Sequence, residues 1–305
     1  MSNTANGGQP DGDFSVRKAI VAAVHLLGEA GIGSPRVDAE LLAAHVLGCS
    51  RSGLLTAGAF DAGQNREFDS LVRRRAARVP LQHLIGRAGF HRLELAVGPG
   101  GFVPRPETEL LVEWGLSVLA GRPLVVDLCA GTGAIALAVV AAYPDATVYA
   151  VERDPGALVW LHHNATLRTA AGDRPVTVVA GDAVAPAVLA GLDGTVDLVL
   201  ANPPYVPEGS AVPPEVAGHD PYAAVYAGRD GLDVIRPLVA RAAALLRPGG
   251  AVGIEHDDSH GEAVPALLAA AGFHHTTDHA DLTGRPRFAT ARRPAAAPPP
   301  TAPLP

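Results

Sequence analysis

Cysteine, lysine, methionine and long apolar runs are scarce in this sequence, and each scarcity closes off a class of protein. There are only two cysteines, Cys49 and Cys129, with no short-spaced partner for either. That excludes a disulfide framework and a cysteine-based zinc site. The twelve histidines form no His-Glu-x-x-His pattern. His162–His163 and His274–His275 are adjacent pairs, and neighbouring side chains point in different directions, so neither pair is a chelate. No metal site is expected. No stretch approaches the roughly 18–20 uncharged apolar residues of a membrane span. The opening MSNTANGGQPDGD carries no basic residue ahead of an apolar stretch, so it does not read as a signal peptide, and a cytoplasmic protein is expected. Net basic charge is also missing. The formal balance is -7, against the basic domain or stripe that nucleic-acid binders carry, so no direct sequence-specific contact with nucleic acid is expected.

The residues that are abundant suit a globular enzyme-sized chain. The 305 residues are 48% hydrophobic and 18% charged, enough for a large core and a second, smaller domain. Lys18 is the one lysine, so arginine carries the basic charge, which reads as composition bias. Arg73, Arg74, Arg75, Arg78, Arg87 and Arg92 lie close together in sequence, either as a solvated face or as a docking surface for an acidic partner.

Residues 1–13 and 294–305 read as disordered tails, the second too Pro-rich for a helix. Gly7-Gly8-Gln9 lies in the first. Residues 14–85 read as a helical domain. Val16, Ile20, Val24 and Leu27 recur at helical spacing up to Gly31, Ser34-Pro35 opens a second helix, and a third spans 64–78 before Pro80. Residues 86–105 read as a β-hairpin linker, with Leu93, Leu95 and Val97 alternating and Gly98-Pro99-Gly100-Gly101 as its turn. From 106 to 293 strands alternate with helices. Strands are expected at 124–128, 147–152, 176–180, 196–201, 251–255, 273–279 and 286–292, which predicts a doubly wound, mostly parallel seven-stranded α/β sheet.

Such sheets bind ligands at the carboxyl ends of their strands, near the switch in strand order. The first strand-to-helix turn reads Asp127-Leu128-Cys129-Ala130-Gly131-Thr132-Gly133-Ala134, where the two glycines let backbone approach a ligand. Glu152 ends the second strand, 21 residues after Gly131, and its carboxylate can accept two bonds from ribose hydroxyls. Gly131-x-Gly133-x-x-Ala136 also fits a dinucleotide fingerprint, which would make the chain an oxidoreductase. Two features argue against that. Asp127 sits where S-adenosylmethionine enzymes often place a carboxylate facing the methionine, and no second mononucleotide half comes after the fourth strand.

The fourth strand runs instead into Asn202-Pro203-Pro204-Tyr205. Two prolines fix φ and remove two donors, leaving a stiff corner whose carbonyls are free to accept. The oxygen of Asn202 and the carbonyl of Pro203 can take the two N–H bonds of an NH2 group, and Tyr205 can cover its plane. An amide nitrogen is a poor nucleophile because its lone pair is delocalised. Holding both N–H groups on acceptors favours pyramidal character and aims the lone pair at a methyl donor, so positioning supplies most of the rate.

With these residues in view, the chain resembles the release-factor glutamine methyltransferases of the HemK/PrmC family from about residue 15 to 293. The resemblance is carried by Phe102-Val103-Pro104-Arg105-Pro106-Glu107-Thr108-Glu109, by Asp127–Ala136 and by Asn202–Tyr205. Ala227-Gly228-Arg229-Asp230-Gly231-Leu232 and Ile254-Glu255-His256 add to it. The tetrapeptide alone is shared with DNA amino-methyltransferases; the Pro-Arg-Pro-Glu-Thr-Glu segment is more specific. The resemblance implies a class I, Rossmann-like fold and S-adenosylmethionine as methyl donor. It also implies methylation of the glutamine in the Gly-Gly-Gln loop of peptide-chain release factors, and a helical N-terminal domain that recognises them. Asp127, Cys129, Ala130, Gly131, Thr132, Gly133, Glu152, Asp182, Ala183 and Asn202 would line the cofactor, with Asp182 and Ala183 at the adenine. Asn202, Pro203, Pro204 and Tyr205 would form the glutamine slot, and the 104–108 segment would close near the methionine end. Two departures stand out: Cys129 replaces a glycine common in the family, and Ala183 stands where an aromatic can occur. The remaining readings are a DNA adenine or cytosine methyltransferase, which would need a base-reading domain, and a binding module that retains the fold.

Overall fold

The computed structural model describes residues 15–295. The Gly7-Gly8-Gln9 tripeptide and all but residues 294 and 295 of the Pro-rich tail lie outside them. The chain divides into two compact units, one ending at Ile85 and one beginning at Gly86.

The first unit is helical, with α1 (Val16–Glu29), α2 (Pro35–Val46), α3 (Ala62–Ala76) and a short α4 (Leu81–Ile85). Their apolar stripes meet around Leu27, Leu42 and Phe68, and the Phe60 and Phe68 rings stack at 5.2 Å. Asp61 starts α3 with a reciprocal capping box: its side chain accepts the Gln64 N–H while the Gln64 side chain accepts the Asp61 N–H. The arginine run expected to form one surface is split. Arg75 is buried, with Nε 2.7 Å from the Asp38 carboxylate. Arg78 donates to the carbonyls of Ala30 and Gly31. Both therefore hold the helices together; Arg73 and Arg74 are exposed, and Arg87 and Arg92 belong to the second unit.

The second unit opens with a hairpin, β1 (Arg87–Phe90) and β2 (Leu93–Ala96), paired antiparallel. The strands are joined at His91-Arg92, with His91 at φ 53°; the turn expected at Gly98–Gly101 is present, closed by the Gly101 N–H on the Gly98 carbonyl at 3.0 Å, and follows the hairpin. The glycines at 98 and 101 serve packing: a Cβ on Gly98 would come within 2.5 Å of the Trp160 ring.

After α5 (Thr108–Ser117) come β3 (Leu124–Leu128), α6 (Ala134–Ala142), β4 (Thr147–Glu152), α7 (Pro155–Ala170), β5 (Thr177–Ala180) and β6 (Val196–Ala201). Two short helices are next, α8 (Pro214–His219) and α9 (Tyr222–Val225). Then come α10 (Ile235–Leu245), β7 (Leu246–Glu255), α11 (Ala263–Ala270), β8 (His274–Ala280) and β9 (Pro286–Arg292). The sheet order is β5-β4-β3-β6-β7-β9-β8, parallel as far as β7 and antiparallel at β9 and β8. This is the class I methyltransferase fold, and β3 and β6 flank the switch in strand order.

The sequence explains the layers. Strand β3 is apolar except for Asp127 and is covered on both faces, as parallel strands are. Helix α6, AIALAVVAA, is apolar all round and accordingly buried. It packs with α5, Leu161 of α7 and the hairpin residues Phe90, Leu93 and Leu95 on one face of the sheet. Ile235, Leu238 and Leu245 of α10, with Val264 and Leu268 of α11, cover the other. Asp154 caps α7 by accepting the Gly156 and Ala157 N–H groups, with Pro155 in the first turn.

Candidate active site

The carboxyl ends of β3, β4 and β6 open into a cavity of about 540 Å³, within the common range for small-molecule sites. One wall holds residues 129–132, Glu152, Asp182 and Ala183, and another holds residues 202–205. The glycine turn and the tetrapeptide, 71 positions apart from Gly131 to Asn202, thus face one space.

The glycine turn is held by its backbone. Cys129, Gly131 and Gly133 have φ of 67°, 56° and 92°, all left-handed. A Cβ on Gly131 would meet nothing within 4 Å, so its exposed side belongs to whatever fills the cavity. Gly133 differs, since a Cβ there would lie 2.7 Å from Leu161 and 3.0 Å from Leu137. Its smallness brings helix and strand together. Cys129, half-buried, occupies a position that glycine would take without strain, and burial pushes its thiol well above the usual range. Asn164, buried on α7, ties the turn to the hairpin. Its amide donates to the carbonyls of Thr132 and Ala96, both at 3.0 Å, and its oxygen accepts the Ala96 N–H at 2.8 Å.

Glu152 braces the same turn. Its Oε2 accepts the Gly131 N–H at 2.8 Å, and its Oε1 accepts those of Arg153 and Asp154, both at 2.7 Å. A carboxylate oxygen offers about two lone pairs, so Oε2 keeps one for a hydroxyl while Oε1 is saturated. Two ribose bonds to Glu152 were expected; the geometry leaves room for one on an unshared lone pair. Asp182 uses Oδ1 to accept the Val184 N–H in its own turn, and its Oδ2 lies 3.7 Å from Arg153. Ala183 is buried and reaches the cavity wall without a ring to stack.

Asp127 is placed differently from expectation. It is fully buried behind the turn, absent from the cavity wall, with Oδ2 accepting the Ala136 N–H at 3.0 Å and Oδ1 unpartnered. It therefore anchors the start of α6 instead of facing the cavity. Desolvation, with the neighbouring Glu152 charge adding to it, raises its pKa to about 7.

At the other wall, Pro203 and Pro204 are buried, and the Pro203 carbonyl takes no backbone bond from the described residues. The Asn202 amide nitrogen donates to Thr108 Oγ at 3.0 Å, which leaves its oxygen to accept. Tyr205 donates its hydroxyl to Glu255 Oε1 at 3.1 Å, and burial beside that carboxylate pushes the phenol far up. Gly231 permits this approach, for a Cβ there would lie 2.3 Å from the Tyr205 carbonyl. Sequence reasoning placed Thr108 in the segment closing near the methionine end and Glu255 in a resemblance motif, but tied neither to the tetrapeptide. The available signal was a carboxylate ending the otherwise apolar strand AVGIE.

Sequence reasoning also missed the segment that covers the cavity. Residues 206–226 leave and rejoin the body through Val206 N–H to Val225 O at 2.9 Å and Ala227 N–H to Val206 O at 3.0 Å. Val212, Pro213, Val216 and Pro221 on it line the cavity. Arg105 secures it, donating from Nη2 to the buried Asp220 carboxylate at 2.7 Å while its guanidinium sits over the Phe102 ring. Burial raises the Asp220 carboxyl, and Arg105 opposes that shift.

The residues present suit an adenosyl sulfonium ligand. Open space over Gly131, a free lone pair on Glu152, apolar walls and the Asn202 acceptor are what a nucleoside with an attached amino-acid chain requires. Among the described residues no group of His, Cys, Asp and Glu is placed to hold a metal ion, and no helix is long and apolar enough to cross a membrane.

Comparisons with known proteins agree with this geometry. A family model described as PrmC N-terminal domain matches residues 18–86, and one described as methyltransferase small domain matches residues 107–218. The release factor glutamine methyltransferase of Mycolicibacterium smegmatis is 50% identical over 91% of this chain and 98% of its own length. That of Streptomyces coelicolor is 47% identical over 90% of this chain and 96% of its own. Among solved structures, a methyltransferase from Pyrococcus furiosus superposes with a TM-score of 0.50 at 19% identity, covering 72% of this chain and 98% of that one, a likeness of fold.

Proposed function

The chain belongs to the release factor glutamine methyltransferases, and from that premise we propose that it methylates N5 of the glutamine in the Gly-Gly-Gln loop of peptide-chain release factors. It would do so in the cytoplasm, as a step of translation termination. S-adenosylmethionine supplies an electrophilic methyl group on a sulfonium. The observation that carries the reading is the Asn202 carboxamide, held by Thr108 with its oxygen unclaimed, in the same cavity as the glycine turn.

The protein's own residues divide the work. Gly131, Thr132, Glu152, Asp182 and Ala183 would hold the nucleoside, with Cys129 and Ala130 forming the floor of the turn and Gly133 and Asp127 supporting it from behind. Asn202 Oδ1 and the Pro203 carbonyl accept the two N–H groups of the substrate amide, and the Tyr205 ring and Pro204 bound its plane. Two acceptors on one NH2 group favour the pyramidal nitrogen of the transition state over the planar ground state, which is where binding must act to accelerate the reaction. No base is required before transfer, because the nitrogen acquires its acidity only once methylated. The 206–226 segment, which turns Val212, Pro213, Val216 and Pro221 to the cavity, would shield the reacting groups from water. The helical first unit would engage the release factor.

The direct test is transfer of labelled methyl from S-adenosylmethionine to a purified release factor. Labelling that disappears when the acceptor glutamine is replaced is the expected result. Labelling that persists in that variant rejects the assignment, and methyl incorporation into plasmid DNA would favour the DNA-methylating reading.

A further inference from the structure

Behind the tetrapeptide lies a buried polar chain that the reaction as described does not use. Glu255, at the end of β7, is 1% exposed, and its Oε2 has no hydrogen-bond partner among the described residues. Its other oxygen accepts the Tyr205 hydroxyl at 3.1 Å. The Thr108 hydroxyl is near enough to this carboxylate to oppose the rise of its pKa, while Thr108 Oγ accepts the Asn202 amide nitrogen at 3.0 Å. Thr108 is itself 3% exposed, so water does not compete for it.

The sense of this chain is set by its end. An ionised carboxylate can only accept. Tyr205 must therefore point its proton at Glu255, and the buried negative charge draws the nearby Thr108 proton the same way. With its proton drawn toward Glu255, Thr108 Oγ offers its lone pairs to Asn202, so Asn202 presents its NH2 to Thr108 and its oxygen to the cavity. A neutral Glu255 removes the constraint. Thr108 can then donate to Asn202 Oδ1, which turns the wrong end of the carboxamide toward an incoming NH2 group.

We propose that Glu255 and Thr108 are positioning residues for methyl transfer, the carboxylate ordering the Thr108 and Tyr205 hydroxyls and Thr108 holding the Asn202 carboxamide with its oxygen toward the acceptor amide. The proposal rests on the functional reading in which Asn202 receives that amide. Glu255 lies off the cavity wall; Thr108 reaches that wall and acts in this scheme through Asn202. Charged and titratable groups around Glu255 are Arg287 on β9, Glu107 ahead of α5, Tyr205 and the adjoining His256. Arg287 is engaged with Asp281 at 3.2 Å, and His256 bonds through Nδ1 to the Asp257 carbonyl at 2.9 Å. Burial raises the Glu255 pKa to about 7 against the opposing bonds from Thr108 and Tyr205, so the orientation changes within an accessible pH range.

The experiment uses the full chain and the variants Glu255→Gln, Thr108→Val and Thr108→Ser, with a purified release factor and S-adenosylmethionine. Glu255→Gln and Thr108→Val should each lower kcat by about 10–100-fold, as loss of an orienting partner does elsewhere, with cofactor affinity from calorimetry unchanged. Thr108→Ser should restore most of the rate. Wild-type kcat should rise as pH passes through about 7, whereas Glu255→Gln should show no such step. Wild-type rates in both variants, or losses that track cofactor affinity and melting temperature, overturn the proposal. A readout free of turnover separates it from the functional assignment. In the NMR spectrum of the free enzyme, the Asn202 amide protons should be protected from solvent exchange, and Thr108→Val should abolish that protection. Protection that survives Thr108→Val overturns the positioning role. Protection lost as expected, in a chain that methylates no release factor, supports it while rejecting the assigned substrate.

Discussion

Cys129 sits at φ 67° without being glycine, in the turn that faces the cavity. A non-glycine residue held there costs on the order of 1–3 kcal/mol. A β-branched side chain suffers most, because its second γ atom meets the backbone at positive φ. Cys129→Gly should therefore leave the melting temperature unchanged or raise it, with the lost packing offset by relieved strain, while Cys129→Val should lower it. The residue at this position was legible in sequence as a small side chain replacing a glycine; its backbone angle was not. Asn202 makes a different kind of contribution. Its amide nitrogen is spent on Thr108 and only its oxygen faces outward, so Asn202→Ala removes one acceptor and leaves the turn at 129–133 intact. The expected result is a loss of about 10²-fold or more in kcat, with a smaller loss in S-adenosylmethionine affinity measured by calorimetry. Equal losses in both would make Asn202 a structural residue.

Strand β6 delivers Asn202, but the segment after it decides what reaches Asn202. Residues 206–226 are held to the body at their base by backbone bonds and near their far end by Arg105 and Asp220. A hydrogen bond between charged groups contributes about 1.5–3 kcal/mol, and Arg105 is one-third exposed, which places this pair toward the lower end. Arg105→Gln should let the segment open more often. Limited proteolysis within 207–221 should accelerate roughly tenfold, the factor that about 1.4 kcal/mol supplies, with little change in the global melting temperature. Unchanged cleavage would show that the base bonds alone hold it. This segment was illegible in the sequence for a physical reason. PEGSAVPPEVAGHDPYAAV has too many prolines and too short an apolar period for a helix pattern, and α8 and α9 are only six and four residues long. Strands β3, β4 and β6, by contrast, were legible because buried parallel strands are apolar runs. The hairpin was recognised and the turn at Gly98–Gly101 is present, but the connection at His91-Arg92 carries no glycine or proline to announce it.

At the scale of the molecule, two buried carboxyls bind protons more tightly in the folded chain than in the unfolded one. Asp127 and Glu255 are each raised to about 7 by burial. Between the unfolded values near 4 and that pH, unfolding releases their protons. Their contribution is therefore complete at low pH and is lost as pH rises toward 7. His256 and His279, lowered by burial, act in the opposite sense up to about pH 6.5. Comparing variants isolates one group. Relative to wild type, Glu255→Gln should gain unfolding free energy as pH is raised from 5 to 8, by up to about 1.4 kcal/mol per pH unit while Glu255 titrates, read from denaturant melts. A difference independent of pH would mean that Glu255 is ionised throughout. The site as a whole was legible in two fragments, the glycine turn and the tetrapeptide, because each is a local backbone device. The Thr108–Glu255 chain behind them joins residues 147 positions apart and becomes visible only when β7 and α5 are brought together. The proposed catalysis depends on a rigid acceptor corner gripping a flat amide, and the most direct measurement is a crystal structure with a release factor and S-adenosylhomocysteine bound. Asn202 Oδ1 should lie about 2.9 Å from the acceptor glutamine nitrogen, with the Pro203 carbonyl on its other hydrogen. A glutamine seated elsewhere, or residues 202–205 turned from the sulfur, would contradict it.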